Sequence, residues 1–212
     1  MAEGVRPVSL PRLSKVRSIA SIRSQTVDPV VQTMAPSTLP PIPIQNFDGI
    51  PETANAPFTV LPPDTEGDVG PNHYVQWVND RLAVYDKSGA LLYGPVPGRT
   101  LWNGFGDAFC SITDSGDPIV LYDRRADRWM MSQISFRDPR GPFYQCLAVS
   151  QTPDPTGPFY RYAFKVSDTK LNDYPKFGVW SDAYYMAINQ FTCSFTRICD
   201  YAGQGAVAFE RD

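Results

Sequence analysis

One segment of this chain recurs three times, and that recurrence limits the folds open to it more than any other feature. The copies are GDVGPNHYVQWVN (residues 67–79), GDPIVLYDRRADRWMMSQ (116–133) and NDYPKFGVWSDAYYMAINQ (172–190). Each opens on Gly-Asp or Asn-Asp, enters a β-rich stretch, turns at a polar pair and continues into an aromatic strand. The repeated acids are Asp68, Asp117 and Asp173, 49 and 56 residues apart. Repeats of roughly 40–50 residues built from several strands are the mark of propeller blades. A propeller brings the starts of its inner strands to one rim of a central channel. The repeated acids are therefore expected as a ring at that rim.

The rest of the chain fits an all-β fold. Short apolar runs are separated by clusters drawn from 21 Pro and 15 Gly, and helical periodicity is missing. The first blade is expected to use strands at 73–78, 81–86 and 90–94, the last two joined at Lys87-Ser88-Gly89. The second is expected at 118–123, 129–135, 144–150 and 160–166, and the third at 176–180, 184–190 and 206–210. Residues 169–174 read as at most one helical turn. The third blade lacks a fourth strand. The expectation is about three blades of a β-propeller, completed by the remainder of the propeller, by a second chain, or by the N-terminal arm around Val27 to Ile44.

The folded body is expected over residues 46–212. Residues 1–45 are rich in Pro, Ser, Val and Thr and lack sustained periodicity. They read as an extended arm, partly disordered or docking, whose stretch 27–47 resembles a polyproline or edge-strand segment. The stretch 1–25 has basic residues but no apolar core, so it is not a signal peptide as it stands; a removed signal is the expectation. No run approaches 18 apolar residues.

Four cysteines fit an oxidising compartment. Cys110 is expected to pair with Cys146, and Cys193 with Cys199; four buried free thiols are the alternative. No C-x-x-C motif is present, and His73 is the single histidine, which argues against haem attachment, a His-based zinc site and a Ser-His-Asp triad. There is no phosphate-cradling glycine loop for a nucleotide. A net charge of −3 gives no reason to expect nucleic acid.

The motifs at 62–79 (PPDTEGDVGPNHYVQWVN), 116–133 and 172–191 (NDYPKFGVWSDAYYMAINQF) resemble those of a group of secreted bacterial proteins of uncharacterised function with propeller-like domains. The resemblance spans about residues 46–212. It implies secretion or a cell-surface place and a β-propeller, and it implies no particular reaction.

Candidate site residues are Asp64, Asp68, Asp117 and Asp173. Paired carboxylates at a channel rim suit glycoside hydrolysis, one protonated and one ionised. Asp68, Asp117 and Asp173 equally suit Ca²⁺, which takes six to eight oxygens. The plainer reading of each is an Asp that caps a turn through backbone N–H groups. Trp77, Trp102, Trp180, Tyr174 and Tyr185 are candidates for stacking on a sugar. Trp102 stands out among them, because a Gly-rich loop gives a large ring little reason to be buried. Asp123 and Asp127 read as shaping the turn before a core Trp129. Two functions follow. The first is a secreted or surface propeller with a binding, adhesion or assembly role, with calcium as a structural ion and polysaccharide as a candidate partner. The second is a carbohydrate-active enzyme using the rim acids.

Overall fold

The computed structural model describes residues 43–55, 61–196 and 198–211. Most of the expected arm therefore lies outside the described residues. Eleven strands form three consecutive antiparallel sheets among them. Sheet A runs β1 (Thr65–Val69), β2 (His73–Val78), β3 (Arg81–Asp86), β4 (Leu91–Pro97), neighbour to neighbour. Sheet B runs β5 (Ile119–Asp123), β6 (Arg128–Ser135), β7 (Phe143–Ser150), β8 (Phe159–Ser167) in the same way. Sheet C has β9 (Lys170–Val179), β10 (Ala183–Cys193) and β11 (Cys199–Glu210). The helical pieces described are two short 3-10 turns at Glu52–Asn55 and Gly98–Trp102. The fold is all-β, and its three up-and-down sheets are consistent with propeller blades.

The pattern of burial explains how the sheets stack. Side chains alternate across a strand, so a strand covered on both faces reads as an unbroken apolar run. β6 is covered on both faces, buried from Trp129 to Ser135, and its apolar run is broken by the buried polar residues Ser132, Gln133 and Ser135. Its odd positions Trp129 and Met131 join Val75, Trp77, Leu82 and Val84 of sheet A in one core. Its neighbour Met130 joins Tyr184, Met186, Ile188 and Phe209 of sheet C in a second core. β5 and β7 split the same way: Val120 and Ala148 face sheet A, whereas Ile119 and Leu147 face sheet C. Sheet B is thus the middle layer. Each fully buried large side chain in these cores contributes about 1.5–3 kcal/mol.

The structure departs from the sequence expectation in four strands. β1 has only Val69 as an apolar residue and is half exposed along its length, so no hydrophobic signal marks it. Its pairing with β2, from Thr65 opposite Val78 to Val69 opposite Tyr74, holds it in place. β9 begins at Lys170, so residues 170–174 are strand rather than a helical turn. Asn172 anchors that end, donating from Nδ2 to Gln145 Oε1 at 2.8 Å while itself 1% exposed. β10 and β11 extend to a tip where Cys193 lies opposite Cys199.

Both expected disulfides are present, Cys110–Cys146 and Cys193–Cys199. The first ties the loop after sheet A to β7 in the A–B core. That loop corrects the expectation for Trp102, which is fully buried in the same core. The Gly-rich loop folds inward between the sheets, closed by backbone N–H groups of Phe109 and Ser111 donating to Asp107 and by an Arg99–Asp114 ion pair. Gly98 is required here for close approach: a Cβ would lie 2.1 Å from the Trp77 ring. Sequence pattern does not show this, because the loop's burial depends on a ring 21 residues earlier.

Candidate functional site

The inner strands β1, β5 and β9 lie side by side. Backbone geometry fixes how their residues correspond. Asp64, Asp117 and Tyr174 have φ values of 40, 48 and 51°, the left-handed region that Asp adopts more readily than most residues. Six residues later Gly70, Asp123 and Trp180 open the hairpin turns: Gly70 N donates to His73 O, Trp180 N to Ala183 O, and Asp123 sits opposite Arg128. The structural repeat is therefore Asp64, Asp117, Tyr174. Asp68 lies four residues along β1 and corresponds to Leu121 and Gly178. Asp173 stands one residue before the repeated position. Two Asp residues four apart in the first copy are what shifted the sequence alignment.

Asp64 and Asp117 come together, and Asp173, outside their cleft, lies near enough to feel both charges. Asp64 and Asp117 line one small cleft with Glu66, Tyr174 and Lys176. Burial pushes the Asp64 carboxyl above the usual carboxylate range, the charge of Asp117 adds to this, and Lys176 opposes it. Burial also raises Asp173, helped by the charges of Asp117 and Asp64. The three acids therefore feel one another's fields. Lys176 Nζ lies 3.4 Å from Glu66 Oε1 and 4.1 Å from the centroid of the Tyr174 ring. Tyr174 is itself exposed, at 58%.

Asp68 does not join them. Its Oδ2 accepts from Tyr122 N at 2.8 Å and its Oδ1 from its own neighbour Val69 N. It fastens β1 to β5. Asp117 does the same one sheet on, with Oδ2 accepting from Tyr174 N at 2.7 Å. Asp64 Oδ2 accepts from Asn79 Nδ2 at 3.3 Å, and that amide also donates to Pro62 O. The acids are thus partly structural: one oxygen of Asp117 holds the start of the next strand, β9. Among the described residues no group of three or more His, Cys, Asp or Glu side chains is placed to hold a metal ion.

Of the aromatic candidates, Trp77 belongs to the core, whereas Trp180, Tyr174 and Tyr185 are exposed. Tyr174 alone of these lines the acidic cleft. Sequence reasoning missed Glu66 and Lys176. Both sit on strands among the expected acids, and only the packing of β1 against β5 and β9 brings them together.

A second polar cluster joins the turn of sheet B to the end of sheet C. Asp123 is buried; its Oδ1 accepts from Arg125 N and Ala126 N. Its Oδ2 accepts from Tyr184 OH at 3.0 Å and lies 2.6 Å from Arg211 Nη2. Burial, then the charge of Asp123, raises the Tyr184 hydroxyl to about 12. Asp123 therefore shapes its turn as expected and also staples two sheets.

No protein-family model matches the chain, and no curated protein matches it. Among solved structures, an exo-β-1,3-galactanase from Clostridium thermocellum is similar at 13% identity over 71% of this chain and 38% of its own, with a TM-score of 0.42. An exo-β-1,3-galactanase from Phanerochaete chrysosporium, solved with β-1,3-galactotriose, is similar at 12% identity over 71% of this chain and 39% of its own, with a TM-score of 0.39. The chain spans about two-fifths of the length of these structures. Likenesses this slight carry neither an activity nor a ligand to this chain.

Proposed function

We propose that the chain supplies three blades of an extracellular β-propeller and binds a hydroxyl-rich ligand, a carbohydrate, at the rim formed by Asp64, Asp117, Asp173, Lys176 and Tyr174. The supporting observation is the chemistry gathered at one mouth. Carboxylates accept from hydroxyl groups, an ammonium donates to ring and hydroxyl oxygens, and an exposed phenol ring stacks on the apolar face of a sugar. Two disulfides, one of them in the core, suit an oxidising compartment. Among the described residues no helix is long and apolar enough to cross a membrane. Binding is favoured over catalysis because Asp117 has one oxygen committed to Tyr174 N and Asp64 has one held by Asn79.

The test is calorimetric titration with a panel of neutral oligosaccharides, alongside a reducing-end assay on the same panel. Binding without cleavage, weakened at least tenfold by Tyr174→Ala and by Lys176→Met, supports the reading. No binding across the panel overturns it. A second reading, glycoside hydrolysis, is favoured by the raised carboxyls of Asp64 and Asp173, one of which would serve as the acid. Release of reducing ends that disappears in both Asp64→Asn and Asp173→Asn would select it.

A further inference from the structure

The left-handed position that repeats along the inner strands is filled by Asp64 in sheet A, Asp117 in sheet B and Tyr174 in sheet C. Asp tolerates that backbone because its short side chain bonds locally, whereas a bulky residue at φ 51° is an outlier. In sheets B and C a proline follows, Pro118 and Pro175, so these two sites differ in the side chain and share the chain chemistry around it. The left-handed backbone disfavours Tyr relative to Gly by a factor of roughly 5–30 in the folding equilibrium. Burial does little to offset this, since Tyr174 is 58% exposed. What holds the backbone is Asp117, whose Oδ2 accepts from Tyr174 N at 2.7 Å. Two residues earlier, Asn172 is buried and pinned to β7 through Gln145 Oε1 at 2.8 Å. The result is an aromatic ring fixed at the mouth of the acidic cleft, with Lys176 Nζ 4.1 Å from its centroid. A disfavoured backbone beneath an exposed ring is a feature the fold itself does not need, and such outliers gather at ligand sites.

We infer that Tyr174 is the specificity-determining residue of the rim, that Asp117 is its positioning residue, and that the site they make selects a sugar in its closed ring form over an open-chain polyol. The inference rests on the carbohydrate reading above and deepens it. Hydroxyl groups of either form satisfy the carboxylates of the cleft and Lys176, so the polar groups alone do not choose between them. A pyranose presents a rigid face of C–H groups against which an aromatic ring packs; a polyol chain has no such face and loses rotational freedom on binding. Lys176 takes one face of the Tyr174 ring, which leaves the opposite face for the sugar. A ring already held by its own backbone gives up little freedom when the ligand arrives.

The test compares the full 212-residue protein with Tyr174→Gly, Tyr174→Ala, Tyr174→Phe, Asp117→Ala and Asp117→Asn. In denaturant unfolding, Tyr174→Gly should be more stable than Tyr174→Ala by a factor of roughly 5–30 in the equilibrium constant, because both lack the ring and only Ala keeps the strain. Hydrogen exchange of the Tyr174 amide should speed up about tenfold or more in Asp117→Ala and stay as it is in Asp117→Asn, whose Oδ1 still accepts. NMR titration then uses the methyl pyranosides of glucose, galactose, mannose and xylose, each against the alditol of the same sugar. The protein should bind at least one pyranoside about tenfold more tightly than its alditol. Tyr174→Phe should keep that ratio, and Tyr174→Gly should bring the two within about twofold. Equal binding of ring and polyol, an Ala variant as stable as the Gly variant, or an unchanged Tyr174 amide in Asp117→Ala each overturns the inference and leaves the rim reading standing. Binding of no pyranoside also overturns it, and the rim reading is then decided by the oligosaccharide panel alone.

Discussion

Replacing Asp123 by Ala is expected to cost more stability than its position in a surface turn would suggest. The carboxylate is fully buried at its side chain and Arg211 is 11% exposed at its own. The change removes acceptors for Arg125 N, Ala126 N, Tyr184 OH and Arg211 Nη2 together. Breaking a buried ion pair from one side costs about 3–5 kcal/mol, because the other charge stays in the interior. Arg211 keeps one partner, its Nη1 donating to Trp180 O at 2.6 Å, which places the cost toward the lower part of that range. For a domain of this size that is a fall in Tm of roughly 6–20 °C. Urea denaturation of Asp123→Ala, Arg211→Met and the double variant gives the coupling energy, expected at about 1.5–3 kcal/mol. The pair also leaves a signature in pH. Tyr184 titrates higher in the folded state than in the unfolded chain. Its contribution is therefore complete below its unfolded value near 10 and is lost as pH rises toward 12. The Asp123→Ala variant should lose the part of that alkaline dependence that the charge and hydrogen bond of Asp123 add, and keep the larger part that burial sets. Additive single costs, or an Asp123→Ala cost below about 1 kcal/mol, would refute the idea that this cluster ties sheet B to sheet C.

Three further outcomes are expected. Removing Cys110–Cys146, with a separation of 36 residues, should cost about 4 kcal/mol on the chain-entropy account, against about 2 kcal/mol for Cys193–Cys199, with a separation of 6; thermal melts of the two double-Ala variants check the order. Trp102→Ala should cost about 3–5 kcal/mol, while Trp180→Ala, on an exposed ring, should change stability by less than about 1 kcal/mol, both read by denaturant unfolding. Asp117→Asn should lower the titration midpoints of Asp64 and Asp173 together, seen in carboxyl-carbon NMR, because both are raised in part by the charge of Asp117; midpoints that stay put would mean burial alone sets them.

Much of the local structure was legible in the sequence. Alternating apolar residues bounded by Gly, Pro and Asp marked β2, β3, β6, β7, β8 and β10, because a half-buried or doubly buried strand must write its burial into its residues. The cysteine pairs were legible too: Cys193 and Cys199 close a short hairpin tip, and Cys110 and Cys146 close a longer loop that takes in β5 and β6. β1 was not, because TEGDV buries almost nothing and is held by hydrogen bonds to β2 that any sequence can make. Trp102 was misjudged because a loop's burial is decided by what folds over it. The acids were aligned out of phase: Gly-Asp recurs at two positions with different jobs, and only φ and the turn positions tell Asp64 from Asp68.

The sequence by itself determined that this is an all-β chain of three repeated sheets stitched by two disulfides. That information is local: period-two burial, turn residues and short-range loop closure are all written within each repeat. Only the tertiary structure decided that Asp64, Asp117 and Asp173 share a field, that Lys176 and Glu66 stand among them, and that Asp123 reaches Arg211 88 residues away. These depend on how one sheet stacks on the next. The stacking angle and offset arise from many side chains packing at once, so no single stretch of the chain carries them.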